Sequence, residues 1–169
     1  MALAVSPEGR ILERLLFVLS GSGIVNREGK TVTFRHARGR YSNSEEMPSC
    51  AIRYISSEYD VDRGEIHTTD ECCMKILVDL ELDNELATEE SELDPTGIDE
   101  QMVILSECCA ALLAPDGAML SLVDDVEVDS IAPDDDATAD EGRLVGRISV
   151  LYRTSRTNRG ILLTPEQNL

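Results

Sequence analysis

The chain has 169 residues, 42% of them apolar and 4% aromatic with no Trp, and its formal charge at pH 7 is −18. Such a length makes one domain, with at most an appended arm, and aliphatic side chains must fill its core. The charge argues against wrapping nucleic acid through phosphate contacts, no apolar run reaches membrane-spanning length, and MALAVSPEGR lacks a signal peptide's layout, so folding in a cytoplasm is expected.

Ser6-Pro7-Glu8 reads as a helix start. Ser caps, Pro takes the first helical position, and Glu meets the positive end of the dipole. Ile11, Leu12, Leu15, Leu16 and Leu19 then recur at helical spacing, and Gly21-Ser22-Gly23 ends the helix. Asn26 to Lys30 reads as a loop and Thr31 to His36 as a short strand. Arg38 to Met47 is polar, contains Gly39 and leads into Pro48, which predicts an exposed, mobile loop. Cys50 to Tyr59 is the next strand, with Cys50, Ile52 and Tyr54 on one face, and Asp62-Arg63-Gly64 suggests a turn after it.

Met74 to Asp83 alternates as a half-buried strand does: Met74, Ile76, Val78, Leu80 and Leu82 face one side, Lys75, Asp79, Glu81 and Asp83 the other. Leu86 to Asp94 is acidic and aperiodic, hence a loop. Asp94-Pro95-Thr96 opens a second helix, on which Ile98, Met102, Leu105, Cys109 and Leu112 share a face, and Pro115-Asp116-Gly117 stops it. Leu120 to Ile131 contains a strand with Val126 and Val128 inward, followed by an exposed acidic turn from Pro133 to Gly142. Arg143 to Thr154 alternates most cleanly of all, with Leu144, Ile148, Val150 and Tyr152 on one face and Arg143, Arg147, Ser149 and Arg153 on the other. Beyond it, Ile161 to Leu163 is an isolated apolar patch that needs a partner surface, in its own domain or a neighbouring subunit.

Helix, strands, helix, strands, without alternating βαβ units, predicts an α+β domain: a mainly antiparallel sheet with two principal helices packed on one face. The domain is expected to span 1–156, with 157–169 as a C-terminal tail. If the acidic and basic strands are neighbours, opposite charges across them contribute ~0.2–1 kcal/mol a pair. The alternative is two solvated faces whose charges never meet.

The five cysteines comprise Cys50 and the vicinal pairs Cys72–Cys73 and Cys108–Cys109. No CxxC occurs, and His36 and His67 lie far from either pair, so a zinc site is poorly supported. One thiol of each pair is expected in the core and the other nearer the surface. The surface-facing ones are disulfide candidates, with five reduced packing cysteines as the alternative. No phosphate loop, HExxH, GxSxG or Cys–His arrangement is visible, and Asp134-Asp135-Asp136 lacks the ligand spacing and central Gly of a calcium loop. Neither catalytic residues nor a cofactor or metal are expected. Arg147, Arg153, Arg156 and Arg159 suit pairing between subunits better than phosphate binding in so acidic a chain.

The layout resembles the tail terminator, or tail-completion, family of long-tailed bacteriophages, the minor-tail-protein-U-like proteins. The resemblance spans most of residues 8 to 156. It rests on ILERLLFVLSG, MPSCAIRY, CCMKILVDLELD, IDEQMVILSECCAALL, LVDDVEVDSI and the closing GRLVGRISVLYRTSR. The vicinal cysteines and the acidic insertions around Glu89 to Asp99 and Asp134 to Glu141 depart from the family pattern.

The resemblance implies a structural virion protein, made in a host bacterial cytoplasm. It would close as a hexameric ring on the last tail-tube ring, stop tube growth and present a surface to head-completion and neck proteins. The tail sheath would be a partner where the tail contracts. DNA would pass through without being bound, which an acidic lining favours. Ring subunits make heterologous contacts, for which Arg143, Arg147, Arg153, Arg156 and Arg159 on one side and Asp79, Glu81 and Asp83 on the other are the candidates. The competing readings are a head-completion or connector protein of the same neck, a small cysteine-based redox or metal-binding protein, and an acidic adaptor for basic partners.

Overall fold

The structure is a computed structural model that describes residues 5–36, 48–59, 73–82, 98–114, 119–133, 144–155 and 160–164, with 73–82 described through the backbone. The elements are α1 (Pro7–Gly21), β1 (Thr33–His36), β2 (Ser49–Tyr59), β3 (Cys73–Leu82), α2 (Ile98–Leu113), β4 (Asp125–Pro133), β5 (Leu144–Thr154) and β6 (Leu162–Leu163). They build an α+β fold. The strand order is β1-β2-β3-β5-β4, with β6 on β5. Only β1 and β2 run parallel; every other neighbouring pair is antiparallel.

α1 begins where its capping residues dictate. Ser6 Oγ accepts the Gly9 amide at 3.1 Å, Pro7 occupies the first turn, and the chain leaves through Ser22 and Gly23, whose φ is 70°. Ile11, Leu15 and Leu19 are fully buried. The loop that follows is held by Asn26, whose Oδ1 accepts the Lys30 amide at 2.8 Å, while Gly29 takes the positive φ of 78° that the turn needs.

β5 stands in the middle of the antiparallel part. Leu144, Ile148, Val150 and Tyr152 enter the core with Phe34, Cys50 and Ile52 of the far strands and the buried stripes of both helices. Fully burying one such aliphatic side chain is worth about 1.5–3 kcal/mol, so this row dominates the stability of the sheet. The register sets Met74 opposite Tyr152, Ile76 opposite Val150 and Val78 opposite Ile148, the alternation expected for β3. Tyr152, fully buried, donates its hydroxyl to Glu8 Oε1 at 2.9 Å and so ties β5 to the first turn of α1.

Three expectations change. The buried face of α2 is Gln101, Ile104, Leu105, Cys108, Cys109 and Leu112, whereas Ile98 and Met102 are 38% and 41% exposed. The face is rotated because Gln101 Oε1 accepts the Leu144 amide at 2.8 Å, which gives a polar residue a place in the core. As a result both Cys108 and Cys109 are buried, not one inside and one out. Part of the expected tail also belongs to the sheet: Leu162 pairs with Thr154 and is buried, leaving Ile161 exposed. The Arg38 to Met47 loop, the turn at Asp62-Arg63-Gly64, the Leu86 to Asp94 loop, the flanks of α2 at 94–96 and 115–117, and the acidic turn through Asp134 to Gly142 lie outside the described residues.

Candidate functional site

Among the described residues both helices lie on one face of the sheet; on the opposite face Ala51, Val145 and Ser149 are buried and Arg53 and Arg147 half-buried. Strand alternation puts Ala51, Arg53, Val145, Arg147, Ser149 and Arg153 on that opposite face. Ala51 and Val145 are buried yet stand outside the main apolar cluster. Between β2 and β5 the register places Asp79 of β3 opposite Arg53 on one side and Arg147 on the other. The acidic and basic strands are therefore neighbours, with an acidic register position between two basic ones. Glu81 falls opposite Val145 and Lys75 opposite Leu151, because Val145 and Leu151 occupy outward positions between the arginines of β5.

Arg153 is already engaged within the chain. Its Nε and Nη2 donate to the Asp124 carboxylate at 2.7 Å each, a bidentate pair with both side chains about a quarter exposed. That pair ties β5 to the turn before β4 and fixes the direction of the guanidinium. Ser149 Oγ donates to Asp129 Oδ2, at the point where a bulge interrupts the β4–β5 register. Arg147 is half-buried at the centre of the face. Arg143, Arg156, Arg159 and Asp83 lie outside the described residues.

Several joints had no sequence signal because their partners are distant and unpatterned. Glu100 Oε1 accepts the Arg27 amide at 2.7 Å, which pins the loop after α1 to the start of α2. Gln101 with Leu144, and Tyr152 with Glu8, are of the same kind. Elsewhere on the surface, Arg10, Glu13, Arg14, Phe17 and Leu122 border an open hollow of about 210 Å³, and Phe17 is 71% exposed beside it.

Cys50, Cys108 and Cys109 are buried and unbridged. Burial pushes the Cys109 thiol up to about 11, with the neighbouring Cys108 adding to the shift. A thiol held neutral in this way is a poor nucleophile and a poor metal ligand. The disulfide candidacy of Cys108 and Cys109 fails on burial. Cys72 is outside the described residues, and Cys73 opens β3 opposite Arg153. Among the described residues no three His, Cys, Asp or Glu gather as a metal site requires, and no helix is long and apolar enough to cross a membrane. No protein-family model and no curated protein matches the chain.

Proposed function

We propose that this chain is a structural virion protein of a long-tailed bacteriophage, a tail-terminator-type subunit that caps the tail tube as a ring and joins it to the neck. The observation that supports the reading most directly is the register that sets Asp79 of the acidic strand between Arg53 and Arg147 of its two neighbours. Complementary charge of this kind sets register and partner choice where proteins meet. The segments on which the resemblance rests fall on α1, β2, β3, α2, β4 and β5. Tube subunits would lie on one side of the ring and head-completion proteins on the other, with DNA sliding past an acidic protein that repels its phosphates. The partners of such a ring are proteins, and it works without a cofactor.

Omitting the protein during phage assembly tests this. The expected outcome is tails of uncontrolled length and filled heads left unjoined, both restored when the protein is supplied. Tails of normal length would move the protein to the head side of the joint, and normal infectious particles would remove it from the neck.

A further inference from the structure

Charge is divided along the chain, and the fold turns that division into a spatial one. No Lys or Arg occurs between Lys75 and Arg143, a stretch that contains α2 and β4, whereas in α1 and β2 Arg10, Arg14 and Arg53 are balanced by Glu8, Glu13 and Glu58, and β1 carries Arg35 and His36 with no acidic residue. In the strand order β1 ends the sheet on one side and β4 on the other. α1, whose charges balance, lies over β1 and β2, and the acidic α2 over β4 and β5.

Among the described residues, each end strand has an edge with no strand beyond it. Thr33 donates its amide to Pro48 O at 2.9 Å, towards β2, so alternation aims the Phe34 and His36 amides away from the sheet. Beside them stand half-buried Arg35 and exposed His36. The β4 edge displays Asp125, Glu127 and Asp129, all exposed, with the bulge at Asp129. Like charges set opposite one another across strands are destabilising, so β4 is protected against β4 and β1 against β1. The complementary combination is the one left.

We propose that the β1 edge of one copy docks on the β4 edge of a second copy, continuing the sheet across the subunit boundary. The proposal rests on the ring reading above and names its interface. Such a contact is head to tail, and it closes into a ring when the rotation between copies divides a full turn. The net charge of −18 opposes association at a distance. At physiological salt that repulsion is screened beyond ~8 Å. Paired strands lie only ~4.7–4.9 Å apart, inside that distance, so the edge charges decide.

Charge reversal tests the contact. D125K/E127K makes a chain with two basic edges, and R35E/H36E one with two acidic edges. In sedimentation at physiological salt the unmodified protein should form a closed oligomer and each variant alone a monomer. An equimolar mixture of the variants should recover an oligomer in which the two kinds alternate, and that recovery rules out misfolding as the cause of the loss. If either variant alone assembles as the unmodified protein does, the edge contact is wrong and the ring must use another surface. A monomer in the unmodified protein and the mixture alike also overturns the edge contact, and the ring reading is then decided by the omission experiment.

Discussion

Gln101 lies in the apolar stripe of α2 because its Oε1 takes the amide of Leu144, the first residue of β5, at 2.8 Å. Truncating it leaves a buried amide without an acceptor, the expensive half of a hydrogen bond. Gln101→Ala should therefore destabilise the fold by about 1–3 kcal/mol, read as a lower denaturant midpoint, far beyond what its position on a helix would suggest. Cys109 makes a prediction of the opposite kind, in pH. Its folded value near 11 lies above the ordinary 9.0, so the native state holds the thiol proton more tightly than the unfolded chain does. The stability it contributes is complete below about pH 9 and is lost as pH rises towards 11. Cys109→Ala should remove that component of the alkaline slope in a pH series of unfolding curves. An unchanged slope would mean that the thiol titrates normally.

Between elements, the two-residue strand β6 tests how far packing outweighs length. Leu162 is buried against the core and Ile161, next to it, is half-exposed. Leu162→Ala should cost about 2–5 kcal/mol, and Ile161→Ala should stay within about 0.5 kcal/mol. Equal effects on thermal unfolding would mean that β6 does not dock. Both β3 and β5 were legible in the sequence because period-2 alternation is a local signal, and α1 was legible because Ser6-Pro7-Glu8 and Gly21-Ser22-Gly23 mark its ends. The face of α2 was legible only in part. Its sequence is apolar nearly all round, so periodicity left the choice of buried side to Gln101, which composition marks as a surface residue. The docking of Leu162, the parallel pairing of β1 with β2, and the Arg153–Asp124 pair depend on contacts between distant segments, for which the chain has no local pattern. The partner of Arg153, Asp124, lies 29 positions away in the chain.

Across the whole molecule, the helices shield one face of the sheet, and charge changes sign from the β1 edge to the β4 edge. Under the proposed edge contact, unlike ends meet head to tail, while the net charge of −18 opposes association at a distance. Proteins that form two-fold dimers use self-complementary patches, and neither edge of this sheet is complementary to itself. The central claim is that the chain works as a ring at the junction of head and tail. Imaging of intact particles carrying a dense label on this protein tests it most directly. The account predicts averaged density for a single ring of labelled subunits, six-fold about the tail axis, at the head-proximal end of the tube. Label absent from that junction, or present as isolated copies without rotational symmetry, would contradict it.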